Sequence, residues 1–293
     1  MRTRRPAVSR ASHAFVVAAL LLSLAPAARA VPNVSNATAD ANWILGAVIS
    51  GGPMSGAIGE YPDPGGATHI EPYFANYACF GLARATQITG NTGYVNAAWN
   101  HLTWYATHMD SSGYVHDWSL SNGTWTQGSY DSTDSYAATF LIALLAAYRA
   151  SNNLSQLKTY SSAIQTAVNA IHSTQQPSGL TDATPGYTGE LLEDNVETCQ
   201  GLLAAGELAN ILGLSSLASQ AYGYASPMQS AIETMWNGSG GYYYWAEFNN
   251  GSFQPTDPST TLSPDLMAQG WTVAFLHPAS AQGVLIELVA GSQ

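Results

Sequence analysis

Residues 136–148 read YAATFLIALLAAY, apolar all the way round at helical spacing. Residues 92–108, TGYVNAAWNHLTWYATH, instead carry one stripe, Val95, Trp99, Leu102 and Ala106, on an otherwise polar surface. A helix that is apolar on every side must be covered on every side, whereas a striped one can face water. The first therefore belongs to an inner layer and the second to an outer one. The alternation recurs: residues 38–50, 154–172 and 214–236 read as outer helices, and residues 70–88, 196–212 and 263–276 as inner ones. Four hairpins result, followed by a short apolar tail, SAQGVLIELVAG.

The joins are unequal. Inner helices pass to outer ones through TGN at 89–91, SNN at 151–153 and Gly213. Outer helices pass to inner ones through long Gly/Pro/Asn-rich loops at 51–69, 109–132, 174–193 and 237–261. If the hairpins stack around one axis, every long loop lies at one end, where the inner helices begin with unsatisfied N–H groups and partial positive charge. No linker or charge block divides residues 31–293, so one domain is expected.

Residues 1–30 place four arginines ahead of AFVVAALLLSLA and end in ARA, the pattern of a cleaved export signal. The run is too short to span a bilayer and no later stretch approaches ~20 apolar residues, so a secreted or periplasmic chain without a membrane span is expected. Five of the eight basic residues and none of the nineteen acids fall in that leader, leaving a balance of −16. Only Arg84, Arg149 and Lys158 remain, too few cations for a nucleic-acid partner or a polyuronate. Cys79 and Cys199 lack metal-ligand spacing; outside the cytoplasm they could pair as a disulfide, or remain buried thiols.

The stretches HIEPYFANYACFGLARATQITGNTGYVNAAWNHLTWY, SSGYVHDW and DSTDSYAATFLIALLAAYRA, with the hairpin plan around them, resemble the six-hairpin glycosidase superfamily. The resemblance implies an all-α, (α/α)-toroid fold around a carbohydrate cleft and leans towards inversion of configuration. A full toroid has six hairpins, so four leave the ring open, truncated or completed by another chain.

Acids converge on the loop end from three helix starts. Glu71 lies beside His69 and Tyr73; Asp117 lies in GYVHDW; Asp131 and Asp134 open the second inner helix. Asp182, Glu190, Glu193, Asp194 and Glu197 surround the start of the third. Glycoside hydrolysis needs one protonated and one ionised carboxyl across the scissile bond. Two acids three apart on one helix face the same side, so Asp134 is paired here with Glu193 or Asp194, with Asp117, Asp131 and Glu71 in reserve. Each also reads as a helix-start or turn residue; Asp131 in particular reads as an N-cap and Glu71 precedes Pro72, a favoured first helical residue. His69, Tyr73, Trp118, Tyr130, Tyr136, Tyr187 and Trp245 suit a half-wet sugar cleft, since a ring packs on the C–H face of a pyranose. No His pair has ligand spacing and no G-x-S-x-G motif occurs, so neither metal, other cofactor nor serine nucleophile is expected. Residues 31–293 thus read as a glycosidase acting on a neutral or amino-sugar glycan. A non-catalytic carbohydrate-binding toroid and a polysaccharide lyase are the alternatives, the latter weakened by the shortage of cations at that end.

Overall fold

A computed structural model describes residues 33–62, 66–248 and 251–276. The leader at 1–30 and the apolar tail lie outside them. Nine α-helices are described: α1 Val34–Gly46, α2 Pro72–Thr89, α3 Thr92–His108, α4 Thr133–Ser151, α5 Leu154–Lys158, α6 Ser161–Thr174, α7 Leu192–Leu212, α8 Ser215–Thr234 and α9 Met267–Leu276, the last preceded by a π-helical turn at Leu262–Leu266. The inner helices pack in the order α2, α4, α7, α9, while α1 and α3 cover α2, α6 covers α4 and α8 covers α7. The all-apolar helix is α4, with Ala137, Phe140, Leu141, Leu144 and Ala147 wholly buried. The expected outer helix over 154–172 is broken in two at Thr159–Tyr160.

The short joins have a common chemistry. Gly90, Asn152 and Gly213 end α2, α4 and α7 in the left-handed conformation, with φ of 76°, 51° and 74°. A left-handed residue returns an amide to the helix's last carbonyls and turns the chain out at once. Asn91 and Asn153 then accept a backbone N–H from the first turn of α3 and α5. The long loops fold into small antiparallel sheets: β1 His69–Ile70 with β2 Trp118–Ser121 and β3 Thr124–Gln127; β4 Gly189–Leu191 with β7 Ala246–Phe248 and β8 Ser252–Phe253; and β5 Trp236–Asn237 with β6 Tyr242–Tyr243. Sequence periodicity does not reach strands of two to four residues.

Two expectations need correcting. Cys79 and Cys199 are separate buried thiols. Cys79 Sγ faces the Ala98 carbonyl of α3 and Cys199 Sγ the Ala225 carbonyl of α8, so each sits between its inner helix and its own outer partner. Burial pushes both thiols up, Cys199 to about 12. And the N-cap of α4 is Ser132, whose Oγ accepts from Ser135 N at 3.0 Å; Asp131 lies exposed before it.

Arg149 pairs with Glu207 at 2.5 Å on the surface, near the short turns. Arg84 reaches Gln87 within the same helix, and Lys158 ends α5. The three cations of the described residues thus lie away from the loop end. No described helix is long and apolar enough to cross a membrane.

The tightest inner contact is at Gly201 of α7, where an added Cβ would lie 2.5 Å from Ala138 Cα of α4. Gly201→Ala should therefore destabilise by about 2–3 kcal/mol in urea unfolding, because two backbones must part. Gly223→Ala, in open space on α8, should raise stability by up to ~1 kcal/mol. Equal responses at the two sites would contradict the packing order.

Candidate functional site

The carboxyls at the loop end fall into two groups. The first gathers where β1 pairs with β2, His69 opposite Ser119. Glu71 follows β1 and Asp117 precedes β2, so strand pairing brings them together. Asp117 is fixed by its own backbone, its N–H donating to Ser129 O at 2.9 Å and its carbonyl accepting from Gly128 N at 2.7 Å. Tyr136 of α4 donates its hydroxyl to Asp117 Oδ1 at 3.0 Å. Glu60 joins because its N–H donates to the His69 carbonyl at 3.0 Å. Burial, then the carboxylates of Asp117, Glu60 and Asp131, push Glu71 up to about 8. Burial pushes Asp117 up to about 6, with the Tyr136 hydrogen bond pulling the other way. Ligand atoms of Glu60, His69 and Glu71 lie within 4.8 Å of one another, a spacing that could hold a divalent cation.

The second group lies on the axis. Glu197 of α7 is wholly buried, and its Oε1 accepts from Tyr73 at 2.6 Å, from Tyr77 at 2.5 Å and from the Trp271 indole N–H. The Ser135 side chain also draws on this carboxylate, while Glu193 Oε1, one turn earlier, is buried without a hydrogen-bond partner among the described residues. Burial raises Glu197 to about 7 against the pull of those donors. Burial and then the Glu197 charge hold Glu193 at about 8. Asp194 is raised well above the carboxylate range, first by burial and then by Asp134. The two groups touch through rings: Tyr73 stacks on Tyr136 with centroids 6.0 Å apart.

Asp134 does different work. Its Oδ1 accepts from Ser132 Oγ at 2.6 Å and Ser135 N at 2.8 Å, and its Oδ2 from Thr181 Oγ1 at 2.6 Å, all out of solvent. Thr181 N–H donates in turn to Asn195 Oδ1 at 2.7 Å. This web fastens the start of α4 to the 174–191 loop and to α7, leaving Asp134 sealed behind three donors. Glu71 occupies the N-cap position of α2 without a side-chain cap bond, so its carboxyl is available to the site.

Of the other sequence candidates, His69 places Nδ1 3.0 Å from Ser119 Oγ, and Trp118 stands edge-on to His108 at 5.7 Å. Tyr130 packs on Tyr114 and His116, at the hairpin rather than the axis. Tyr187 is exposed, and the Trp245 carbonyl accepts Leu192 N at 2.9 Å at the start of α7. Glu190 accepts from Ser178 Oγ at 2.6 Å and pairs across the strands with Glu247, away from both groups. Sequence reasoning passes over Glu60, Tyr77, Trp271 and the central place of Glu197. Two of these carried a signal: Glu197 follows Glu193, and Tyr77 follows Tyr73, by four residues, one helical turn on the same face.

No family model and no curated protein sequence matches the chain. Solved structures do. A sugar epimerase from a ruminal bacterium superposes with a TM-score of 0.60 at 13% identity, over 87% of this chain and 69% of that one. The cellobiose 2-epimerase of Spirochaeta thermophila gives 0.57 at 14% identity, over 85% and 65% of the two chains. That of Bacillus thermoamylovorans gives 0.52 at 10% identity, over 76% and 59%. All are (α/α)-toroids, and the fold of this chain is therefore of the (α/α)-toroid kind. The chain spans between 59% and 69% of their lengths.

Glu71 and Glu193 have folded values of about 8 against an ordinary 4.5, so the folded chain keeps protons that the unfolded chain releases. Their contribution to stability is complete below pH 4.5 and is lost as pH rises through 8. The melting temperature should accordingly be highest on the acid side and fall on the order of 5 °C towards pH ~8.5. Glu193→Gln should flatten that slope; a melting temperature rising over this range would contradict the burial described.

Proposed function

We propose that the chain is an exported glycoside hydrolase, with Glu193 as general acid and Asp117 as general base. The observation that carries the reading is a pair of carboxyls in unequal surroundings at the loop end: Glu193 at about 8 on α7, and Asp117 at about 6 beside β2, whose groups are linked by the Tyr136–Tyr73 stack. Environments that push two carboxyls apart are how one site supplies acid and base together.

Near neutral pH Glu193 carries a proton and gives it to the glycosidic oxygen as the C1–O bond breaks. Asp117 is ionised, oriented by the Tyr136 hydroxyl, and takes the proton of the water that adds to C1. A base that activates water inverts the anomeric centre, in line with the superfamily resemblance. Tyr136, buried and stacked on Tyr73, orients Asp117, and Glu197 holds Tyr73 in place. The substrate class supported is a neutral or amino-sugar glycan.

A second reading, epimerisation of a reducing sugar, is favoured by the fold shared with the sugar epimerases. The two differ in product: hydrolysis makes new reducing ends, whereas epimerisation changes configuration without changing mass.

On a panel of neutral and amino-sugar polysaccharides, the protein should release reducing ends, with kcat/KM falling below pH about 6 and above about 8. Glu193→Gln and Asp117→Asn should each lower kcat at least about a hundredfold, and the latter should abolish the acid limb. Epimer formation without new reducing ends would replace this reading with the second. Ultraviolet-absorbing products would indicate a lyase, and binding without turnover a carbohydrate-binding toroid.

A further inference from the structure

We propose that the chain carries a second ligand site, on the outer face of α3 and apart from the mouth, which takes an uncharged saccharide unit.

The site is a cavity of about 470 Å3 between the segment that follows α1 and the C-terminal half of α3. That volume falls in the range, roughly 300–1,000 Å3, of pockets that hold small organic ligands. Its walls are fixed by hydrogen bonds. Residues 47–59 fold back on themselves, Ile49 N–H donating to Ala57 O at 2.9 Å, Gly56 N–H to Ile49 O at 2.8 Å and Gly59 N–H to Ala47 O at 2.9 Å. Two buried contacts pin this segment to α3: Ile58 N–H donates to His101 Nδ1 at 3.1 Å, and the Trp104 indole N–H meets Met54 Sδ at 3.3 Å. Gly56, with φ of 92°, lets the turn pass so close that an added Cβ would lie 3.1 Å from the Asn100 carbonyl oxygen. The cavity is thus formed before any ligand arrives, and binding requires no reordering of its walls.

The lining fixes the kind of ligand. No Asp, Glu, Lys or Arg lines it, so neither a phosphate, a carboxylate nor an amine finds a counter-charge there. Val48, Ile49, Pro53 and Trp104 supply an apolar part. Thr103 and Thr107 commit their hydroxyls to carbonyls of their own helix. Ser50, Ser55 and Asn100 make no side-chain hydrogen bond among the described residues. His108 directs Nδ1–H to the Trp104 carbonyl at 2.8 Å, which leaves Nε2 of the neutral ring as an acceptor. Two hydroxyls, a carboxamide and an imidazole nitrogen beside an apolar wall match a pyranose, with its hydroxyl edge and C–H face. A wholly apolar ligand would cover these groups and leave them unpaired. None of the carboxyls of the mouth lines the cavity, although His108 meets Trp118, the residue after Asp117, edge-on at 5.7 Å.

The test records backbone amide NMR shifts of the full chain titrated with cellotriose, maltotriose and tri-N-acetylchitotriose, and with the trimers of galacturonate and glucosamine as charged counterparts. At least one neutral trisaccharide should move the amides of residues 48–56 and 100–108, with a Kd of about 1 mM or lower. The charged trimers should bind there several-fold more weakly, because a charge without a partner must leave water. Asn100→Ala, at an exposed helical position that favours alanine, should weaken the neutral trisaccharide at least about fivefold with the melt intact.

No movement of these amides with any neutral trimer at ~10 mM would overturn the inference. So would a Kd unchanged in Asn100→Ala, or tighter binding of a charged trimer. The outcome is independent of the chemistry at the mouth. Shifts confined to α7 and to β1 and β2 remove the outer site and leave the hydrolase, while shifts at 48–56 and 100–108 in a chain that releases no reducing ends remove the hydrolase and leave the outer site.

Discussion

One carboxyl draws the inner layer together. Glu197 is fully buried, and a charge or polar group in that position is tolerated only if donors meet it. Tyr73 and Tyr77 come from α2, the first inner helix, Trp271 from α9, the last, and Glu197 itself from α7. The ends of the helical arc are thus brought to one point, where Tyr77 also meets Phe275 with ring centroids 6.5 Å apart. Apolar packing between neighbouring helices could build an arc of any curvature. A single acceptor shared by three donors sets how far this one curls.

The same requirement organises the loop end. Asp134 draws Ser132 and Thr181 onto itself, and Asn195 bonds Thr181 and the Leu191 carbonyl, so a long loop is held by polar bonds rather than by a core. The carboxyls that face inward, Glu193 and Asp117, are positioned on a scaffold that uses other carboxyls as struts. Two acids three residues apart in the sequence have opposite fates: Asp131 is exposed, Asp134 sealed.

That contrast marks how far the residues speak for themselves. Helix pairs, their inner and outer order and the end at which the loops gather are written in local patterns: the all-apolar run at 136–148, the stripe through Val95 and Leu102, and the Gly-Asn and Asn-Asn turns. The candidate acids of α7 follow from that order. What decides among them is not local. Thr181, which occupies Asp134, lies 47 residues away, and Tyr73, which meets Glu197, lies 124 residues away. The pattern D-S-T-D is equally consistent with a cap at Asp131 and a cap at Ser132, and only the neighbouring chain distinguishes them. Glu60 was illegible for a related reason, since only a backbone hydrogen bond from its N–H to the His69 carbonyl brings it there.

Cys79 and Cys199 each lie shut between an inner helix and its outer cover, with thiols too weakly acidic to exchange. With both cysteines free and buried, folding of this protein needs no thiol oxidant. It should mature equally well in a reducing host cytosol and in culture medium, a freedom that disulfide-stapled extracellular domains do not have.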